Sequence, residues 1–256
     1  MPEVRTMRLI VIGSLAMVLV CALYLFAYRW HMEQAEVEKS LFALSSGFNH
    51  KVITRIDTGG KKLVALTFDD GPDPRFTPEV LDILEKNNIQ ATFFVVGENA
   101  QVHTDIIKRQ IAAGHEIENH TYSHPNLAAG DELDTEWEIL RAQGIITELT
   151  QKRPVYFRPP KRLFKNSTLK VAEAHGYTTV LWTIGLEHYK SKTVAAMAKR
   201  VIKAARPGTI LLAHDGRLDR TRTLKALPLV IKGYKQKGYQ FVTLSELIAS
   251  QKAIRS

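Results

Sequence analysis

From Lys61 onward the sequence alternates between short apolar runs and longer amphipathic stretches, and this alternation constrains the fold more than any other feature of the chain. Leu63–Phe68 is too short for a helix and is bounded by charged residues and by Gly71-Pro72, so it predicts a buried strand. Several of the amphipathic stretches end at a glycine, which is typical of a helix C-terminus. Seven predicted strands alternating with helices indicate a parallel α/β architecture, as an open doubly wound sheet or as a closed barrel.

The bounds of the predicted elements follow from these apolar runs and from helix-start and helix-stop residues. Thr77-Pro78-Glu79 is typical of a helix start, because it offers a capping hydroxyl, a proline at the first helical position and an acid in the first turn. The predicted strands are Leu63–Phe68, Ala91–Val96, His115–Glu118, Val155–Phe157, Thr178–Ile184, Thr209–Ala213 and Gln240–Leu244. The predicted helices are Val80–Asn88, Ile106–Ala113, Asp131–Thr150, Leu169–His175, Val194–Ala205 and Leu224–Lys237.

The N-terminal segment predicts a transmembrane signal anchor. Leu9–Tyr28 contains no charged residue, and its 20 residues are long enough to cover a hydrocarbon core of roughly 30 Å. A cleaved signal peptide, the alternative, would have a shorter apolar run that ends at an A-x-A-like site. Arg5 and Arg8 precede the segment and glutamates follow it, so we expect the N-terminus inside and the remaining chain outside the cytoplasm.

These features divide the chain into four predicted parts, and its charge narrows the set of partners. The parts are residues 1–30 (cytoplasmic tip and transmembrane anchor), 31–60 (stalk or linker), 61–248 (the folded α/β domain) and 249–256 (tail). The net charge of +9 fits a solvated basic surface, or attraction to anionic wall polymers or lipid headgroups. We expect no nucleic-acid partner, because the sequence has no nucleic-acid motif. The single cysteine, Cys21, excludes an intrachain disulfide.

Ionisable and polar residues come directly after five of the predicted strands. In chain order they are Asp69, Asp70, Asn119, His120, His124, Arg158, Glu187, His188, His214 and Asp215. In parallel α/β folds, ligands bind at the carboxyl ends of the strands. The sequence therefore predicts that these side chains converge on one face of the sheet.

Taken together, these residues favour a divalent-metal site, although each motif has a simpler interpretation by itself. Asp69-Asp70-Gly71 is a possible plain turn, yet two adjacent carboxylates repel each other unless a cation or an arginine compensates them. His120 and His124 suit one metal ion if their segment is helical, and otherwise fit surface or core histidines, as His214 also does. Two imidazoles and one carboxylate make a facial site that leaves positions open for water and substrate.

At these residues the sequence resembles the polysaccharide deacetylases of carbohydrate esterase family 4, which share the NodB homology domain. Thr67–Pro72 matches the family's first motif, T-F-D-D-G-P, and His120–His124 matches its second, H-[ST]-x-x-H. Phe157–Pro160 matches the third motif and Leu211–His214 the fifth. The resemblance extends from about Leu63 to Leu247 and implies a distorted (β/α)7 barrel. With the N-terminal segment, we expect such a barrel attached to a transmembrane helix.

The resemblance also implies a role for each matched residue. Asp70, His120 and His124 would hold the metal, usually Zn²⁺; Asp69 would be the general base, Arg158 its charged partner and His214 the general acid. The backbone N–H of Lys161 would help to bind the oxyanion. This set suits acetamide hydrolysis, which needs a polarised carbonyl, a nucleophile formed at neutral pH and a proton delivered to nitrogen.

Two departures from the family pattern concern the surroundings of this site. Lys161-Arg162 stands where many members have an aromatic residue and a glycine. In the fourth motif the family usually has an aspartate that supports the acid histidine, and an ungapped match puts His188 there instead. We expect Glu187, one residue earlier, to supply that carboxylate, with Asp215 as the second candidate.

The function expected from the sequence is metal-dependent hydrolysis of the acetamide of N-acetylated sugars, with release of acetate. The substrate would be a cell-envelope polysaccharide, either peptidoglycan or a chitin-like polymer, since the predicted anchor holds the domain at the membrane. One alternative is a membrane-anchored glycan-binding barrel with weak or no catalysis, which the fourth-motif departure favours. The other is a metal-dependent amidase that acts on a small non-sugar amide.

Overall fold

The computed structural model describes residues 52–188 and 191–255, and in them the apolar runs form the strands of one sheet. The strands are β1 (Val52–Ile53), β2 (Leu63–Asp69), β3 (Thr92–Val95), β4 (Glu116–Asn119), β5 (Tyr156–Phe157), β6 (Thr178–Val180), β7 (Ile184–Gly185), β8 (Thr209–His214) and β9 (Gln240–Val242). The helices are α1 (Thr77–Lys86), α2 (Gly97–Val102), α3 (Thr104–Ala112), α4 (Glu132–Thr150), α5 (Asn166–Ala174), α6 (Val194–Lys203), α7 (Thr221–Gln236) and α8 (Leu244–Arg255), with a 3₁₀ turn at Pro160–Arg162.

All pairs between these strands are parallel, which confirms the predicted α/β class. The strand order is β1-β6-β5-β4-β3-β2-β8-β7, and β9 pairs with β2. The sheet is curled into a half-barrel, which is consistent with the distorted (β/α)7 barrel. Since all strands run the same way, the residues that follow β2, β4, β5 and β8 lie at one end of the sheet.

The predicted strand Thr178–Ile184 is divided in the structure, because its two halves pair with opposite ends of the strand order. β6 lies between β1 and β5, whereas β7 pairs only with β8 among the described strands. Between them, Leu181 donates its N–H to Ile53 (2.8 Å) and Thr183 donates its N–H to Ile210 (2.8 Å). The connecting residues therefore link the two edges of the curled sheet.

The predicted stalk and tail overlap the folded part of the chain. β1 lies within residues 31–60, and both Ile53 and Ile56 are buried. Ile56 donates its N–H to the carbonyl of Gly208, and a Cβ at Gly208 would lie 1.6 Å from the Ile56 carbonyl oxygen. A two-residue strand is too short to show a periodic pattern, so β1 was missed. At the other end, α8 was not predicted: it begins at Leu244, which was assigned to the last strand, and it continues through residues predicted as a tail.

The local predictions differ from the structure in two further places. α2 was not predicted, and Thr77 is the first residue of α1 instead of its N-cap. Among the described residues, no helix combines the length and apolar character needed to cross a bilayer. The predicted anchor, Leu9–Tyr28, lies outside the described residues, as do Cys21 and most of the predicted stalk.

Candidate active site

Asp69 and Arg158 form a buried ion pair at the carboxyl end of the sheet. Asp69 is the last residue of β2, and its Oδ1 accepts a hydrogen bond of 2.7 Å from Nη1 of Arg158. The guanidinium is fully buried, and it also donates to Thr67 Oγ1 and to the carbonyls of Val180 and Leu181. With its donors engaged on several sides, the guanidinium has one orientation, which fixes Asp69 and leaves its Oδ2 facing the site.

Asp70, His120 and His124 form a second buried cluster beside this pair. Oδ1 of Asp70 lies 3.0 Å from Nε2 of His124 and 3.6 Å from Nε2 of His120. Burial opposes ionisation of Asp70, but the two adjacent imidazoles favour its charged form and hold its pKa well below the ordinary value. One oxygen and two nitrogens therefore face a common point.

The two imidazole rings are oriented to different degrees. Nδ1 of His120 lies 2.6 Å from the carbonyl oxygen of Arg158. Because a carbonyl only accepts, this nitrogen must carry the proton, which leaves the Nε2 lone pair free toward Asp70. Nδ1 of His124 is buried and has no partner within the described part of the chain. His120 is thus the more firmly held of the two.

The segment from His120 to His124 forms a turn. It is not helical, although the four-residue spacing of the two histidines would suit a helix. Thr121 and His124 both have left-handed backbone conformations, with φ of 71° and 61°. Thr121 Oγ1 accepts the N–H of His124 (3.1 Å), and the carboxylate of Glu138 accepts two consecutive backbone N–H groups of the turn. These side chains stabilise an otherwise unfavourable backbone that brings both rings to Asp70.

The cluster has the donor set of a divalent-metal site. One ligand atom from each of Asp70, His120 and His124 can be chosen so that all lie within 4.8 Å of one another. Two neutral imidazoles and a carboxylate on one side of an ion are a common arrangement for zinc and for other divalent metals with open positions. The fixed tautomer of His120 also fits, because it directs a lone pair into the cluster.

Arg220 is part of this cluster and was missed in the sequence. Its Nη2 donates to Oδ2 of Asp70 (3.0 Å), and its Nε donates to the carbonyl of Gly216 (2.7 Å). It is buried and compensates the carboxylate oxygen that does not face the histidines. It lies in a polar stretch with Arg217 and Arg222, and no local pattern distinguishes it from them.

Glu187 lies against His214. The sequence predicted this contact, with Glu187 in place of the aspartate that the family usually has. Its Oε2 lies 3.1 Å from Nδ1 of His214, and its Oε1 accepts the backbone N–H of His214 (3.1 Å) and the hydroxyl of Thr223 (2.6 Å). Burial alone would lower the pKa of His214, but the Glu187 carboxylate, with Asp69 and Asp70, raises it above the ordinary value. Thr223, also missed in the sequence, holds the carboxylate in place.

Asp215, the second candidate partner of His214, points to the other side of the strand. Its Oδ2 accepts the hydroxyl of Thr77 (2.7 Å), and both carboxylate oxygens pack against Gly71, where a Cβ would lie within 2.5 Å of them. Burial raises the pKa of Asp215 to about 7. The packing of Asp215 explains why a glycine follows the two aspartates. The hydrogen bond to Asp215 also explains why the Thr77 hydroxyl does not cap the helix.

These side chains line a cavity of about 450 Å³. Its lining residues are Asp69, Asp70, His120, His124, Lys161, Trp182, Leu212, His214, Arg217, Leu218 and Arg220. Arg158 and Glu187 lie behind the lining as partners of Asp69 and His214. His188 lines a separate cavity together with Glu187, and Tyr189 is outside the described residues.

The arrangement gives the cavity one carboxylate and one imidazole on adjacent strands. Asp69 and His214 are direct partners in the register of β2 and β8. Each has its own partner of opposite charge, an arginine for the carboxylate and a glutamate for the imidazole. Such a pair can remove a proton from water and deliver a proton to a leaving atom in the same cavity.

Comparison with known families and proteins agrees with this chemistry. Residues 56–180 match the polysaccharide deacetylase family. A peptidoglycan-N-acetylglucosamine deacetylase of Bacillus cereus is 38% identical over 190 residues, which cover 73% of this chain and 89% of that protein. A chitooligosaccharide deacetylase of Bradyrhizobium sp. is 32% identical over 203 residues, which cover 75% and 93% of the two chains.

Solved structures show the same similarity. The Bc1960 peptidoglycan N-acetylglucosamine deacetylase, in complex with an N-oxidanyl-benzamide, superposes with a TM-score of 0.74 at 35% identity, covering 78% of this chain and 94% of that one. A family 4 acetyl xylan esterase of Clostridium thermocellum, in complex with a cobalt ion, has a TM-score of 0.68 at 36% identity, covering 73% and 91%.

Proposed function

The chain belongs to the polysaccharide deacetylase family, carbohydrate esterase family 4, and we propose that its site removes N-acetyl groups from sugars of a cell-wall polysaccharide and releases acetate. As a member of this family it is a hydrolase of N-acetyl amide bonds. The similar proteins named for peptidoglycan and for chitooligosaccharide support a glycan substrate rather than a small non-sugar amide.

The observation that carries the proposal is the register pairing of Asp69 with His214 beside the metal-type cluster. The free Oδ2 of Asp69 would accept a proton from the attacking water. His214 would donate a proton to the departing nitrogen, so that the C–N bond breaks to give acetate and a free amine. The Glu187 contact favours the protonated imidazole, and the Arg158 contact orients the Asp69 carboxylate.

Asp70, His120 and His124 would hold the metal, for which we propose zinc. When bound there, a divalent ion supplies Lewis acidity toward the acetamide carbonyl and toward water. Lys161 lines the cavity directly after the Arg158-Pro-Pro segment, and we propose that its backbone N–H donates to the oxyanion. All four of these residues line the same cavity.

The Glu187–His214 contact supports an active enzyme over an inactive glycan-binding barrel. The departure in the fourth motif was the one feature that favoured loss of catalysis. A glutamate placed one residue earlier reaches the same imidazole, so the acid retains a carboxylate partner. We further propose that residues 9–28 anchor the chain in the membrane with the catalytic part outside the cytoplasm.

Acetate release by the purified full-length protein in detergent tests the proposal. We expect release from N-acetylglucosamine oligomers or from peptidoglycan, its loss with a chelator, and its recovery when zinc or cobalt is added. Asp69→Asn is the matched control and should release almost no acetate, because asparagine keeps the shape of the side chain but removes the proposed base. Glycan binding without acetate release by the metal-loaded protein would instead establish the inactive barrel, and release from small non-sugar amides alone would establish the amidase.

A further inference from the structure

The two carboxylates in the cavity are already compensated by arginines. Asp69 pairs with Arg158 at 2.7 Å, and Asp70 pairs with Arg220 at 3.0 Å. All four groups are buried, so solvent screens these pairs weakly. The negative charge of the site is therefore balanced within the protein before any substrate enters.

Lys161 and Arg217 add positive charge that nothing in the cavity balances. Both line the cavity and both are exposed. Neither has a carboxylate within ion-pair distance among the residues that the structure describes. The mouth of the cavity thus presents two uncompensated cations close to the base, the acid and the metal-type cluster.

Both cations are borne by turns next to the site. Lys161 has φ of 57° within the 3₁₀ turn that follows the Arg158 segment. Arg217 has φ of 68° and follows Gly216, where a Cβ would lie 2.3 Å from the carbonyl oxygen of Asp70. Each cation is therefore attached to a tight turn, and the turn that bears Arg217 packs on Asp70.

A neutral acetylated sugar does not need this charge. Acetamide hydrolysis develops a single negative charge on the carbonyl oxygen, for which a bound divalent ion and a backbone N–H already suffice. A cavity mouth with surplus charge of one sign raises the local concentration of ligands of the other sign and selects among them. An anionic group beside the reacting acetamide would match both cations.

We propose that Lys161 and Arg217 bind a carboxylate carried by the acetylated sugar or by the sugar next to it. The inference rests on the proposed deacetylase function and names the substrate class of the same site. Two sources supply this chemistry: the lactyl ether of a muramic sugar whose stem peptide has been removed, and a uronic acid in an exopolysaccharide. An arginine fork and a lysine ammonium are both common partners of carboxylates.

The test measures kcat/KM of the full-length protein for matched glycans with and without the carboxylate. The arms are peptide-free glycan strands from peptidoglycan, uronate-containing acetylated oligosaccharides, the methyl esters of both, and neutral N-acetylglucosamine oligomers. We expect about a tenfold preference for one carboxylated glycan over its ester, since two partly screened cations each contribute several-fold. The preferred arm identifies the source, and the preference should shrink as salt is raised.

Variants assign the preference to the two side chains. Lys161→Gln and Arg217→Gln should each reduce the ratio of carboxylated to esterified kcat/KM about threefold, and the double variant should remove it. Lys86→Gln, at an exposed lysine at the end of α1 and away from the cavity, should keep the ratio of the wild type. Calorimetric binding of both glycans to the metal-free protein gives the same comparison without turnover.

Failure of the inference is distinguishable from failure of the proposed function. Equal kcat/KM for carboxylated, esterified and neutral glycans would overturn the carboxylate site while leaving the deacetylase intact. A preference that the double variant retains would also overturn it, because other residues would then recognise the acid. No acetate from any glycan would overturn both.

Discussion

Replacing Glu187 by glutamine tests whether its carboxylate raises the pKa of His214, the proposed general acid. The amide keeps the size of the side chain and one acceptor oxygen, but it removes the negative charge next to Nδ1. Since that charge raises the pKa of His214, the substitution should lower this pKa. The general acid would then lose its proton at a lower pH, and the alkaline limb of the pH–rate profile should move in the same direction.

The size of the shift follows from the geometry of the pair. The carboxylate lies 3.1 Å from the imidazole nitrogen, and both side chains are about a quarter exposed. Hydrogen bonds to charged groups contribute about 1.5–3 kcal/mol, and the amide oxygen should retain part of this. A loss of about 1.4 kcal/mol corresponds to about one pKa unit, so the limb should move down by about one pH unit.

The assay is kcat/KM for acetylated glucosamine oligomers across the pH range, with metal content measured on the same samples. Metal content should not change, because Glu187 contacts neither the histidines of the cluster nor Asp70. Asp215→Asn is the matched control, since this carboxylate faces Gly71 and Thr77 and should shift the limb less. An alkaline limb that stayed in place in Glu187→Gln would refute the tuning argument, and a larger shift in Asp215→Asn would transfer the role to Asp215.

Four other substitutions or fractionations test the remaining assignments. His120→Ala should lower metal content and activity together, and full metal occupancy by elemental analysis would contradict its role as a ligand. Asp69→Asn should keep the metal and reduce kcat by about 10²–10⁴-fold, whereas loss of metal here and retention in Asp70→Asn would exchange the two roles. Arg220→Gln should weaken the affinity for cobalt about tenfold, because Asp70 would lose the contact that orients it, and Arg220→Lys should recover part of the affinity. An unchanged dissociation constant would show that the contact does not orient Asp70. The mature chain should keep its N-terminus and sediment with membranes, and a soluble form beginning after Ala27 would show a cleaved signal peptide instead.

The elements that carry the site could be predicted because their signals are local. β2 is an apolar run ended by two aspartates, and β8 is an apolar run ended by a histidine. In a parallel sheet such endings meet at one edge, so adjacency in space follows from position relative to each strand. The Glu187–His214 contact was predictable for the same reason, since both residues follow strands in this sheet.

Other features depend on contacts that no local pattern encodes. Arg220 and Thr223 reach the site from the stretch after β8, and their partners are about 150 and 36 positions away in the sequence. The turn from His120 to His124 depends on Glu138 in α4, so spacing alone could not show that it is not helical. The predicted strand Thr178–Ile184 is divided because its two halves pair with different strands. Hydrophobic periodicity carries no information about pairing partners.

The position of β1 has a practical consequence for any shortened form of the protein. A fragment that begins at Lys61, the predicted start of the domain, would lack the strand that covers β6. The uncovered edge would present free N–H and C=O groups, which are a template for pairing with another chain, and the cover of Ile53 and Ile56 would be lost. Such a fragment should aggregate or be degraded even though every candidate site residue is present, whereas one that begins several residues before Val52 should stay monodisperse.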